Sequence, residues 1–166
     1  MSDSKTSERG LATDIGRIAG MIGSDNFPTG ERAALRRMRS GSPLPLAFYR
    51  FALNHLPPGW ERNTEDWVTL VAGIAIMSPG AHQPQQSLGR SLAETGYAEA
   101  RLERLLLTTS NTRRTLLLRA ARFLSAKGTP FDWTQAALLL LISDDQNKRE
   151  SLHRRIATDF YYALGR

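Results

Sequence analysis

SLGRSLAETGYAEARLERLLL, residues 87–107, reads as two short helices joined by a turn at Thr95-Gly96. Leu88, Leu92, Leu102, Leu105 and Leu106 form an inward apolar set, while Arg90, Arg101 and Arg104 face outward. Nothing in the stretch is catalytic in character. It is the pattern of a small helical protein that displays guanidinium groups to a polyanion.

The same helical spacing recurs on both sides of this segment. Leu11, Ile15, Ile18 and Ile22 predict a first helix, weakened by Gly10, Gly16, Gly20 and Gly23. Thr29 is placed to cap a helix from about Gly30 to Arg39. SGSPLP then interrupts, and Leu44 to Leu56 follows, ended by Pro57, Pro58 and Gly59. Glu65 to Met77 is apolar nearly all round, with Asp66 in its first turn, and predicts a buried helix. Beyond the opening segment, Asn111 or Thr112 caps a helix that Lys127-Gly128 closes. Asp132 to Ser143 and Gln146 to Leu164 complete the set, separated by a break at Asp144-Asp145. No alternating run suggests a sheet. The expectation is all-α, a compact helical bundle of about eight to nine helices in two lobes. An N-terminal lobe (1–80) and a C-terminal lobe (87–166) are joined by the loop 78–86, SPGAHQPQQ from Ser78.

Charge points to the partner. The formal net charge is +6, and of 22 basic residues only Lys5, Lys127 and Lys148 are not arginine. Arginine binds phosphates through a planar fork of donors and stacks on bases, although a GC-rich coding sequence favours it too. Residues 1–83 carry nine basic and eight acidic side chains, a net of +1. Residues 84–166 carry thirteen and eight, a net of +5, so the second half is the expected centre of a polyanion surface.

Several chemistries are excluded or unsupported. With no cysteine there are no disulfides, thiolate nucleophiles or cysteine-ligated metals. His55, His82 and His153 lack HxxxH or HExxH spacing, so no metal site is expected. Glu65-Asp66 and Asp144-Asp145 are sequence neighbours, which point about 100° apart on a helix and do not converge as an acid–base pair. Neither GxxxxGK[ST] nor GxSxG occurs. No catalytic residue, cofactor or metal is therefore expected. The polar N-terminus lacks an apolar signal region, and no apolar run reaches the roughly 20 residues that span a bilayer. The expectation is a cytoplasmic protein without membrane contact.

Arginines are arrayed at helical spacing. Arg32, Arg36 and Arg39 form one stripe flanked by Arg37. Arg101 with Arg104, and Arg119 with Arg122, repeat at i, i+3. Arg113-Arg114 in a helix's first turn oppose its dipole, which points to a partner anion. The last helix carries Lys148, Arg149, Arg154 and Arg155. Glu31, Glu99, Glu103 and Glu150 neutralise part of these stripes. Among aromatics, Trp67 and Trp133 are expected in the core, Trp60 as a loop anchor, and Tyr97 as the candidate base-stacking ring. No recognition helix offers Asn, Gln or Ser to base edges, so backbone contact is expected.

PLAFYRFALNHLPPGW, SLGRSLAETG, LERLLL, TLLLRAARFLSAKGTPFDWTQAALLLL and ATDFYYAL together resemble the CasB family, the small subunit of the type I-E CRISPR Cascade surveillance complex. The likeness covers residues from about 45 to 164. It implies an all-α, non-enzymatic subunit of antiviral defence. It also implies contact with the backbone and large subunits of Cascade and with a second copy of the chain. Basic surface would lie near the guide RNA–target DNA R-loop and hold single-stranded DNA, while sequence is read by the guide. Carried over residue by residue, that surface falls on Arg36, Arg37, Arg62, Arg90, Arg101 and Arg119, with Lys148 and Arg149 near the start of the last helix. Ala120 stands where the family doubles its arginine, and Arg122 is the substitute one turn later. With Arg104 from the spacing, these ten residues are the expected nucleic-acid-binding set. Two other readings stay open: an interaction-only subunit whose arginines pair with acidic faces of neighbours, and a standalone sequence-specific regulator.

Overall fold

The computed structural model describes residues 2–142 and 145–166, with side chains from Ser7 onward. These residues form nine α-helices: α1 (Ser2–Ile22), α2 (Thr29–Arg36), α3 (Leu46–His55), α4 (Thr64–Met77), α5 (Leu88–Glu94), α6 (Glu99–Leu107), α7 (Ser110–Ala126), α8 (Trp133–Leu141) and α9 (Gln146–Ala163). A 3-10 turn, Trp60–Asn63, leads into α4. The fold is all-α, and among the described residues no strand is present.

α4 is the axis of the molecule because its sequence leaves it no polar face. From Trp67 to Ala75 every residue is buried, and α1, α2, α7 and α8 pack around it. Gly73 makes the α4–α8 crossing close: a Cβ there would lie 2.3 Å from Trp133 Cη2, and Trp133 is fully buried. The second close crossing joins α5 to α9, where Gly89 lies directly against the α9 backbone. One apolar core runs from Ile15, Ile18 and Ile22 on α1 through α4 to Leu152, Ile156 and Phe160 on α9.

Helix ends were the least legible part of the sequence. Pro28 with extended backbone, not Thr29, caps α2, and Thr109 precedes α7, which starts at Ser110 before either expected cap. Ser87 does cap α5, accepting from Arg90 N at 3.3 Å, and Asp132 caps α8. At the Asp144-Asp145 break, Asp145 caps α9 by accepting from Lys148 N, while Asp144 lies outside the described residues.

The loop after α4 is fastened to the start of α8. His82 Nδ1 accepts the backbone N–H of Trp133 at 3.0 Å, and Gln83 N donates to Phe131 O. Burial pushes the His82 imidazole below its ordinary pKa of 6.5, opposed in part by Asp132 at 3.8 Å. His153 is shifted the same way, first by burial and then by Arg113 and Arg149. A lowered histidine binds its proton more weakly folded than unfolded. Stability is therefore whole above pH 6.5 and is lost as pH falls from there toward the folded value. Melting temperature is expected to drop between pH 7.5 and 5.5 by about 2–4 °C per kcal/mol lost. His82→Gln should reduce that drop, and an unchanged pH dependence would show that His82 does not contribute to it.

Candidate nucleic-acid interface

The arginines fall into two populations, those that close helix ends and those that face solvent. Arg32 Nε and Nη2 donate to Ile22 O and Ser24 O, both at 2.8 Å, closing the end of α1. Arg36 Nε donates to Ala75 O at 2.8 Å and its Nη2 to Ser78 O at 3.4 Å, closing α4. Arg113 is only 2% exposed and donates to Leu139 O at 2.9 Å and Leu106 O at 3.1 Å, closing α8 and α6 together. Positive charge is favourable at those carbonyl ends. Burial and the nearby Arg149 lower the Arg113 pKa from its ordinary value, and Asp66 opposes this.

The reading of Arg113-Arg114 as a site for a partner anion is thereby corrected. Arg113 meets the carbonyl ends of two neighbouring helices, and Arg114 Nε binds Asp66 Oδ1 at 2.8 Å across the α4–α7 contact. Both residues oppose the dipole of their own helix because tertiary partners outweigh that cost. Tyr97 is corrected as well. It is 7% exposed and meets Phe123 edge to face with centroids 5.3 Å apart, so it is unable to stack on a base. Trp67 and Trp133 are buried, and Trp60 packs edge-on against Phe48 as the expected loop anchor.

Four of the solvent-facing arginines, Arg37, Arg39, Arg119 and Arg122, come together in one place. The chain leaving α2 and the exposed face of α7 enclose two adjoining concavities of about 680 and 490 Å³. Arg36, Arg37, Arg39 and Arg122 line the first, and Arg39, Arg114, Arg119 and Arg122 the second. Ser42, Arg39 and Arg122 are common to both. Among the described residues no acidic side chain lines either concavity. Arg37, Arg39, Arg119 and Arg122 are exposed and form no ion pair among the described residues. Glu65 sits behind this surface and holds its loop, accepting from Ser40 Oγ at 2.6 Å and Gly41 N at 2.8 Å.

Of the ten expected residues, Arg36, Arg37, Arg119 and Arg122 come together here. The other six do not line these concavities. Arg62 lies on the 3-10 turn, and Arg101 and Arg104 on the exposed side of α6. Arg90 is bound to Glu94 at 2.7 Å, which raises its pKa. Lys148 lies beside Glu8 and Asp14 of α1. Arg149 is half-buried near Arg113 and His153. Arg39 completes the cluster and was absent from the expected set. Spacing puts it on a stripe with Arg32 and Arg36 in a helix expected to reach Arg39, but α2 ends at Arg36, and the turn in which Ser42 N donates to Arg39 O at 3.2 Å sets its position. A groove of about 400 Å³ between α6 and α9 is mixed instead, lined by Glu99, Glu103 and Glu150 together with His153 and Arg154, which is bound to Glu150 at 3.1 Å. Among the described residues there is no group of three or more potential metal ligands, and no helix is long and apolar enough to cross a membrane.

The family model of CRISPR-associated protein Cse2 matches residues 31–161, from within the first turn of α2 to the last turn of α9. That span contains the whole arginine cluster. No curated protein matches the chain.

Proposed function

The chain belongs to the Cse2 (CasB) family, the small subunit of the type I-E Cascade complex, and on that premise we propose that it binds nucleic-acid backbone without sequence preference and stabilises the R-loop. The supporting observation is the cluster of Arg37, Arg39, Arg119 and Arg122 around adjoining concavities that, among the described residues, no acidic side chain lines. Four exposed guanidinium groups with no ion pair among the described residues repel one another, and nothing in the fold offsets that repulsion. Phosphates offset it through forked, charge-assisted hydrogen bonds. The role is non-catalytic: the arginines neutralise phosphates and release counterions, and the guide reads the sequence.

Fluorescence anisotropy with two unrelated labelled single strands across a salt series tests this. Equal affinity for both is expected, falling steeply with salt. The Arg119→Ala/Arg122→Ala variant should bind both strands about tenfold more weakly, roughly 1.4 kcal/mol. Its salt slope should be shallower by about 0.7 per lost phosphate contact. A change of sequence preference would contradict backbone binding. A chain that binds no single strand at any salt yet assembles into Cascade would assign the arginines to neighbouring subunits instead.

A further inference from the structure

The outer face of α3 is unlike the rest of the surface. Leu46 is 78% exposed, Tyr49 44% and Leu53 77%, at positions i, i+3 and i+7 of one helix face. Among the described residues, half of the six exposed large apolar side chains therefore lie in one stripe. The stripe begins where the basic concavity ends. Pro43, Leu44 and Pro45 line that concavity, Pro45 is the cap of α3, and Tyr49 is four residues further on the same side. At the helical rise, this places Tyr49 about 6 Å along the axis from the concavity's rim.

The ring is also held in place. Phe48 meets Tyr49 at 5.8 Å between centroids and 67° between planes, and Phe48 is itself buried edge-on against Trp60 at 5.8 Å. The neighbouring Arg50 is bound to Glu31, so its charge is occupied. A fixed, half-exposed aromatic between two exposed leucines, beside a phosphate-attracting surface, has the chemistry of a base platform.

We propose that the Leu46–Tyr49–Leu53 face of α3 receives unpaired bases of a strand whose phosphates lie in the Arg39–Arg122 concavity, making this surface selective for single strands over duplex. The inference rests on the nucleic-acid reading above. Duplex bases are stacked on one another and present no free face, whereas a single strand offers one at each nucleotide. Base–aromatic stacking tolerates any sequence, as backbone binding does.

The test compares wild type, Tyr49→Ala and Tyr49→Phe on oligothymidylate, on an abasic strand of equal length and on duplex DNA. Wild type and Tyr49→Phe should prefer the strand with bases over the abasic strand by about fivefold or more. Tyr49→Ala should lose that preference, with its salt slope and duplex affinity unchanged because no charge is removed. An intact preference in a folded Tyr49→Ala protein would overturn the proposal, whatever the arginines do. Binding lost in Tyr49→Ala but unaffected by Arg119→Ala/Arg122→Ala would instead overturn the arginine surface on which it rests. Wild-type DNA affinity in Tyr49→Ala, together with failure to enter Cascade, would make the face a subunit contact and reject the proposal.

Discussion

Gly89→Ala is expected to destabilise the fold by about 3 kcal/mol, the upper end for an overpacked site, and to lower the melting temperature by roughly 6–12 °C. A Cβ at this position would stand 2.2 Å from Ile156 O, 2.8 Å from Phe160 N and 3.1 Å from Asp159 Cβ. Two of these three atoms belong to the α9 backbone, where no rotamer change relieves the overlap. α9 would have to move away, and Leu152, Ile156 and Phe160 would lose their packing with it. Gly73→Ala should also destabilise, because the Cβ there meets the Trp133 ring at 2.3 Å and that ring is fully buried in the core. Gly20→Ala supplies the control of opposite sign. Gly20 lies inside α1 with nothing within 4 Å of the added carbon, so alanine should stabilise by about 0.5–1 kcal/mol. Thermal melts of the three variants decide the matter. Similar small effects at Gly89 and Gly20 would mean that α5 and α9 do not cross closely.

Apolar periodicity carried the reading of the fold. Leu88, Leu92, Leu102 and Leu105 are all buried, and the helix pair 87–107 bends at Gly96, with φ +79°. Periodicity senses which face of a helix is inside, and it is silent on which helix end meets which neighbour. That is why Arg32 and Arg36, correctly placed on one stripe, were not foreseen as closures for α1 and α4. An arginine is a long amphipathic side chain, and its stem crosses apolar ground to reach a distant carbonyl. Composition adds up such residues with those that face solvent. Part of the basic excess is therefore internal architecture, and the surface that remains is smaller and more local than the arrays suggest. Arg119 and Arg122 could be grouped from their spacing. Their proximity to Arg37 and Arg39 could not, since it depends on α2 and α7 both packing against α4. Helical spacing sets Leu44, Phe48 and Phe51 on one inward face and leaves Tyr49 off it, but spacing along α3 does not reveal that the exposed ring lies next to the arginine cluster.

Arg113→Met is expected to cost about 3 kcal/mol while leaving nucleic-acid affinity unchanged. Methionine keeps the volume and apolar stem of the side chain but removes both donors. Leu139 O and Leu106 O then lose their bonds at the last turns of α8 and α6, in a region that water does not reach easily. Arg113→Lys separates charge from geometry: its ammonium retains the favourable end-on interaction with the helix dipoles but does not span both carbonyls. About half of the methionine loss is expected for lysine, so the order of melting temperatures should be wild type, Lys, Met. The guanidinium also carries a cost, for Arg113 Nε is buried without a hydrogen-bond partner among the described residues, and burial lowers its pKa. Were that desolvation to dominate, methionine would match or exceed wild type in stability, and Arg113 would not be the clamp between α6 and α8. Binding separates the two arginine populations directly. Below its melting point the Arg113→Met protein should bind single strands with wild-type affinity and salt slope, since the residue is 2% exposed. The Arg119→Ala/Arg122→Ala protein should show the reverse, a wild-type melt with weakened binding. A loss of affinity in folded Arg113→Met would mean that α6 and α8 hold the α7 arginines in place, and the division between architectural and displayed arginines would fail.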